Sequence, residues 1–246
     1  GREPFVFRRF YNAINGREGV LGKDWNHNYE VHLEFTDGEA VLLREDGKEE
    51  RFFWEKDRYL SLFASEGTLE KAEDGYTYRT REQKVYRFDR EGMCLETETL
   101  LGGRVTFTYE TEAPFRLVKA EKDTGEFFAF SYGADGMLER VEDHVGRCLS
   151  YQYQGGLLKE VTLPDGNTFR YGYTPQGKLE QVENPRGIVT VENFFDEEHR
   201  TTLQKFPDGT QMSYVYDAEK KAVELTERNG SRVIYVHDDK YRDVKH

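Results

Sequence analysis

The stretch Gly156-Leu157-Leu158-Lys159-Glu160-Val161-Thr162-Leu163-Pro164-Asp165-Gly166-Asn167-Thr168-Phe169-Arg170-Tyr171-Gly172-Tyr173 carries the rule by which most of this chain is written. A β-favouring run meets an Asp-Gly turn and a second run follows. In that second run Phe169, Tyr171 and Tyr173 alternate with Thr168, Arg170 and Gly172. A period of two means a strand with one aromatic and one mostly polar face. The turn glycine recurs as Gly102, Gly125, Gly146, Gly166, Gly187, Gly209 and Gly230, at spacings of 23, 21, 20, 21, 22 and 21 residues. Five residues after it stand Phe107, Phe130, Tyr151, Tyr171, Tyr214 and Tyr235. Seven residues after it stand Tyr109, Tyr132, Tyr153, Tyr173, Phe194, Tyr216 and His237. Self-similarity at this period predicts a repeat architecture, in which each unit buries its apolar face against its neighbours.

Each unit reads strand, turn, strand, turn. The first strand is Gly136-Met137-Leu138-Glu139-Arg140-Val141 in one copy and Gly177-Lys178-Leu179-Glu180-Gln181-Val182 in another. Asp-Gly and Asn-Gly dipeptides, such as Asp135-Gly136, Asp208-Gly209, Asn15-Gly16 and Asn229-Gly230, supply the positive φ that tight hairpin turns need. The prediction is an all-β chain of repeated hairpins forming one continuous, twisted or spiralling antiparallel sheet. Residues 1–80 do not follow the period and are expected to form a β-rich N-terminal cap, with the repeat array over 81–246. Cap strands are expected at Phe5-Val6-Phe7, from Trp25 to Phe35, at Ala40–Leu43 and at Arg51–Trp54. Tyr86-Arg87-Phe88-Asp89 marks a transition copy. The Gly187 copy holds one extra residue before Asp196, which a β-bulge near Asn193-Phe194-Phe195 would absorb. The one stretch compatible with a short helix is Asp196 to Arg200.

Composition narrows the function classes. Hydrophobic residues make up 37%, yet aromatics reach 14%, so the apolar content sits in rings. A net charge of −12 argues against a nucleic-acid backbone binder and against docking on an anionic membrane. No apolar run approaches the length of a membrane-spanning helix. Of two cysteines, Cys94 takes the slot of Leu138, Leu158 and Leu179, so a buried hydrophobe is expected there; Cys148 has no counterpart. Without an initiating Met, and ending soon after a repeat, the chain is expected to be part of a longer protein. Its last strand, near Tyr235 and His237, would then be an open edge, partly blunted by Lys240-Tyr241-Arg242.

The repeat unit, Gly-x-Leu-x-x-Val, a turn, then Tyr-x-Tyr-Asp, resembles the RHS or YD repeat. Leu163-Pro164-Asp165-Gly166 and Tyr214-Val215-Tyr216-Asp217 fit it closely. The head of the chain, Arg9-Phe10-Tyr11-Asn12, Leu21-Gly22-Lys23-Asp24-Trp25 and Tyr29, resembles the domain preceding such repeats, with Asp24 where that family usually has a second glycine. The resemblance implies a structural segment of a large secreted or surface protein. Its β-sheet ribbon would spiral into a shell around a C-terminal toxin or effector domain. The partners implied are the remaining repeats and that cargo. The alternative is an adhesin-like module binding carbohydrate or a cell-surface receptor. Self-cleaving members of the family carry paired Asp-Pro-x-Gly motifs; here the nearest string, Asn184-Pro185-Arg186-Gly187, is single and has Asn for Asp, so protease function is not carried over.

Searches for chemistry end in structural readings. Gly16 to Asp24 fails the phosphate-loop spacing. Strand alternation puts His27 with Trp25, Tyr29 and Val31 and His32 with Glu30 on the other side, so the two histidines cannot share an ion. Glu197, Glu198 and His199 read as a solvated loop, and Asn229-Gly230-Ser231 reads as a turn. The expectation is a non-enzymatic chain with no cofactor and no metal. Its informative residues are the repeat glycines and the tyrosines Tyr109, Tyr132, Tyr151, Tyr153, Tyr171, Tyr173, Tyr214, Tyr216 and Tyr235, stacked in cross-strand ladders.

Overall fold

The computed structural model describes residues 4–13, 16–61, 67–237 and 243–245; Asn15 and Lys240-Tyr241-Arg242 lie outside them. The fold is all-β, and none of the described residues is helical. The chain divides into two compact units, Gly1–Tyr151 and Gln152–His246.

The first unit opens with β1 (Arg9–Tyr11), the small hairpin of β2 (Glu18–Gly19) and β3 (Gly22–Lys23), and β4 (Trp25–His27), which pairs antiparallel with β1. A four-stranded meander follows: β5 (His32–Thr36), β6 (Glu39–Leu43), β7 (Glu49–Glu55) and β8 (Arg58–Ser61). Next come β9 (Gly67–Ala72), β10 (Gly75–Thr80), β11 (Val85–Phe88), β12 (Cys94–Glu98), β13 (Arg104–Tyr109), β14 (Leu117–Lys122), β15 (Phe127–Tyr132), β16 (Leu138–Asp143) and β17 (Cys148–Gln154), from β9 to β17 each antiparallel to the next. Leu33, Ala40, Leu42 and Phe52 of the meander share a buried core with Leu69, Tyr78, Tyr86, Phe88 and Cys94. Cys94 is buried, as its repeat slot predicts, and burial pushes its thiol up.

The second unit continues as β18 (Leu157–Thr162), β19 (Thr168–Tyr173), β20 (Leu179–Glu183), β21 (Val189–Phe195), β22 (Thr201–Lys205), β23 (Gln211–Asp217), β24 (Ala222–Thr226), β25 (Arg232–His237) and β26 (Asp243–Lys245). Every pair from β18 to β26 is antiparallel. The strand holding Tyr235 and His237 is therefore not an open edge: β26 returns on it, with Val236 opposite Lys245.

Turn chemistry explains the recurrence of glycine. In the Gly166 turn the Gly166 amide donates to Leu163 O at 2.9 Å and the Leu163 amide donates to Asn167 O at 2.7 Å. This is a three-residue loop whose third residue, Gly166, lies at φ +84°, a region that opposes any Cβ. The Asp165 carboxylate accepts the Asn167 amide at 3.0 Å, and Asp208 and Asn229 accept the corresponding amides of Thr210 and Ser231.

Three expectations change. Phe5-Val6-Phe7 is not a strand and joins no ladder. Trp25–Phe35 is two strands: the Glu30 amide donates to His27 O at 3.0 Å and turns the chain, so His27 and His32 sit on different strands rather than on two faces of one. Asp196–Arg200 is a turn, not a helix; His199 takes the glycine position at φ +61°, and its amide donates to Asp196 O.

Candidate functional site

The repeats carry a device built from a bulge and a tyrosine. Where β13 meets β14, Thr108 faces Lys119 and Tyr109 faces Leu117, so Val118 is the extra residue of a bulge. The bulge disturbs the ladder, and the Leu117 carbonyl there accepts the hydroxyl of Tyr132, one repeat later, at 2.7 Å. The same bond joins Tyr109 to Cys94 O at 2.8 Å, Tyr173 to Leu158 O at 2.7 Å and Tyr216 to Thr201 O at 2.8 Å. Each spans fifteen residues. The second tyrosine of Tyr-x-Tyr-Asp is thus a donor to a main-chain oxygen as well as a packing ring. Burial pushes the hydroxyls of Tyr109 and Tyr132 well above the usual phenol range, so they remain donors at any working pH.

Cations finish the outer rim of these rings. Arg116 lies 4.7 Å from the Tyr132 centroid, Lys159 lies 5.1 Å from Tyr173, and Arg200 lies 4.5 Å from Tyr216. The aspartate that follows the second aromatic (Phe88, Phe195 or Tyr216) caps the next turn. Asp89 accepts the Met93 amide at 2.8 Å, Asp196 accepts the Arg200 amide at 2.9 Å, and Asp217 accepts the Lys220 amide at 2.9 Å. These amide bonds, with the Arg200 guanidinium, hold the Asp196 carboxyl below its ordinary range against the opposing effect of desolvation.

The Gly187 copy keeps the device with different residues. Its extra residue is absorbed at Thr190, between Val189 opposite Glu183 and Val191 opposite Val182, at the start of β21 rather than at its end. Counted from the following turn, Phe195 then holds the slot of Tyr173, Asn193 holds that of Tyr171, and Phe194 turns to the exposed face. Phe195 has no hydroxyl. The buried Asn193 supplies the donor instead, its Nδ2 reaching Leu179 O at 2.8 Å. Gln204 Nε2 donates to Asn193 Oδ1 at 2.8 Å, and Tyr214 donates to Gln204 Oε1 at 2.7 Å. Sequence reasoning missed this relay. Its signal was the joint appearance of Asn193 and Gln204 where other copies have Tyr and Val.

In the first unit the head of the chain lies on the aromatic face. Phe5 stacks on Phe128 at 4.8 Å, Phe7 lies 6.0 Å from Phe130, and His27 stacks on Phe130 at 5.4 Å. Tyr29 touches Phe107 and Phe128 and donates its hydroxyl to Val6 O at 2.9 Å. The Leu138 amide donates to Val20 O at 2.8 Å, tying the β2–β3 hairpin loop to β16. Asp24 has φ +65°, which accounts for a glycine at this position in the resembling family.

The remaining sequence candidates lie in a hairpin and in repeat turns. Gly16 to Asp24 contains the β2–β3 hairpin. The Asn184 side chain accepts the amides of Arg186 and Ile188, making Asn184-Pro185-Arg186-Gly187 one more repeat turn. Asn229 accepts the Ser231 amide in the same way. Tyr151 and Tyr171 are buried, and Tyr153, Tyr214 and Tyr235 are partly so. Among the described residues no group of three or more His, Cys, Asp or Glu side chains could hold a metal ion.

Comparison with known proteins agrees with this geometry. Residues 1–52 match a domain of unknown function (DUF6531), and residues 118–246 match the Teneurin YD-shell. The chain is 26% identical over 246 residues to the tRNA nuclease WapA of Bacillus subtilis, covering 97% of this chain and 10% of that protein. It is 25% identical over 248 residues to the double-stranded DNA deaminase toxin A of Burkholderia cenocepacia, covering 96% of this chain and 16% of that one. Against the crystal structure of TcdB2-TccC3-Cdc42 it gives a TM-score of 0.35 at 12% identity, over 82% of this chain and 14% of that one. With repeat turns, Tyr-x-Tyr-Asp caps and a YD-shell match over just over half its length, the chain belongs to the Teneurin YD-shell family of RHS/YD-repeat proteins.

Proposed function

We propose that this chain is a wall segment of a shell completed by the remaining repeats of a longer parent, and that the shell encloses a C-terminal toxin or effector domain. The observation that carries the reading is the hydroxyl-to-carbonyl bond made across repeats by Tyr109, Tyr132, Tyr173 and Tyr216. It ties the strands of these four tyrosines to main-chain oxygens fifteen residues back, which supports a structural part for them. Residues 1–80 serve as the cap and 81–246 as the array. The relatives are named as nucleases and as a deaminase toxin, and this chain spans 10% and 16% of the two proteins compared. We place those activities outside the aligned part and read this segment as structural. Such a parent is secreted or held at the cell surface.

The test is made on the parent protein, with a specific protease site inserted between the repeats and the C-terminal domain. After cleavage, an enclosed domain co-elutes with the repeats in gel filtration and resists a second, nonspecific protease. A cleaved domain that separates freely and is digested at the rate of the isolated domain would overturn encapsulation.

A second reading, a carbohydrate- or receptor-binding module, has one feature in its favour. Phe35, Trp54, Tyr59 and Tyr76 form a chain of rings 4.6–6.1 Å apart at the rim of the meander, with Trp54 41% exposed. The ladder tyrosines are not that surface. Binding on a glycan panel that Trp54→Ala abolishes would favour this module; a blank panel would count against it.

A further inference from the structure

The centre of the contact between the head and the array is a histidine. His27 is fully buried, enclosed by Phe7 at 5.2 Å, Phe130 at 5.4 Å and Tyr29 at 6.5 Å. Its Nδ1 accepts the Tyr29 amide at 3.2 Å, which fixes the neutral tautomer with the proton on Nε2. That Nε2 has no hydrogen-bond partner among the described residues.

The charges around the ring come from few elements. On its own turn, Glu30 Oε2 stands 3.9 Å from Nε2, beyond hydrogen-bond reach, and already accepts the His27 amide at 2.8 Å. On β1, Arg9 faces His27 in register, and its guanidinium lies over Tyr151. Upstream on the chain is the buried Asp24. The array presents the uncharged ring of Phe130, with Tyr132 the next titratable group on β15.

We propose that His27 is an acid-sensitive latch, and that protonating its ring releases residues 5–29 from the aromatic rings of Phe107, Phe128 and Phe130. A proton on Nδ1 would face the Tyr29 amide, replacing a hydrogen bond with two opposed donors. It would also place a cation inside a ring cage that excludes water. Glu30 favours the cation, but burial outweighs it, and the ring is held below its ordinary range. The sign follows. Above about pH 6.5 the imidazole is neutral both docked and free, and nothing is lost. As pH falls below that value the released segment takes up the proton first. Docking then weakens by up to about ten-fold per pH unit, until the lowered value of the docked ring is reached.

The test is hydrogen exchange on the 246-residue chain between about pH 7.5 and pH 5, corrected for intrinsic exchange rates. Protection of amides in residues 5–29 is expected to fall by up to about ten-fold per pH unit below pH 6.5, ahead of β18–β24, and His27→Gln is expected to flatten that slope. If His27→Gln does not fold, the ring nitrogen shifts of the wild-type chain serve instead. They should report the Nε2-protonated neutral ring until residues 5–29 lose protection. An unchanged slope in His27→Gln, or a ring that titrates near pH 6.5 while residues 5–29 stay protected, overturns the latch.

Discussion

Removing one oxygen from the ladder tests whether the tyrosines hold repeats together by hydrogen bonding or only by packing. Tyr173→Phe keeps the ring and its contact with Lys159 and deletes the 2.7 Å bond to Leu158 O. A neutral hydrogen bond contributes about 1 kcal/mol net, but here the acceptor stays behind. Leu158 is fully buried, so its carbonyl loses a partner that water does not readily replace. An orphaned buried acceptor costs about 1–3 kcal/mol, which sets the expected loss for Tyr173→Phe. The same holds for Tyr132→Phe at buried Leu117, whereas Tyr216→Phe should cost less because Thr201 is only partly buried. Tyr132 and Tyr173 donate to different acceptors, Leu117 O and Leu158 O, so the double variant should lose the sum of the two to within about 0.5 kcal/mol. Urea unfolding followed by circular dichroism measures this, with the midpoint moving and the slope unchanged. A loss below about 0.3 kcal/mol at both Tyr132 and Tyr173 would refute the bonding account and leave ring packing as the sole role.

Further outcomes follow from single positions. His199→Gly should stabilise the second unit by about 0.5–1 kcal/mol in the same assay, because an exposed non-glycine residue is held at φ +61° there. Gly166→Ala should cost about 1–2 kcal/mol through φ alone, since an added Cβ meets no atom within 4 Å. Asn193→Leu should cost about 1–3 kcal/mol, because it removes the 2.8 Å bonds to the Leu179 carbonyl and from the Gln204 amide. Asn193→Tyr alone should also destabilise, while the triple change Asn193→Tyr, Gln204→Val and Phe195→Tyr restores the pattern of the Gly166 copy. Thermal melting should then place the triple variant within about 1 kcal/mol of wild type, a non-additive result expected of residues in one network.

The strands and turns were legible because their causes are local. Alternation in Phe169-Arg170-Tyr171-Gly172-Tyr173 needs no knowledge of the partner strand, and an Asp-Gly pair announces its own φ. What stayed hidden depends on register. The turn at His199 looks like helix because its glycine is missing, although Asp196 and Arg200 close it as Asp89 and Met93 close the Gly92 turn. The extra residue of the Gly187 copy was expected beside Phe194, but pairing with β20 places it at Thr190. The strand around Tyr235 was expected to be an open edge because the array was read as cut after it, but β26 pairs with it. The ladder tyrosines were legible as rings and not as donors, because the acceptor fifteen residues back is a main-chain atom that sequence does not display.

The bulges where β11 meets β12, β13 meets β14 and β15 meets β16 look like defects until their carbonyls are followed. A bulge bends and twists its strand locally. Its cost is a ladder disturbed at a buried position. A tyrosine from the next repeat offsets that cost only if the next repeat is present and in register. Bulge and successor are thereby coupled: the disturbed carbonyl of one copy is satisfied by a side chain of the next. The Gly187 copy shows how strictly this requirement is kept. It lost the hydroxyl at Phe195 and recovered the bond to Leu179 O through Asn193, in a slot that otherwise holds Tyr171. Packing alone would have tolerated a hydrophobe there. The need for a donor to a main-chain oxygen explains why a buried asparagine occupies it instead.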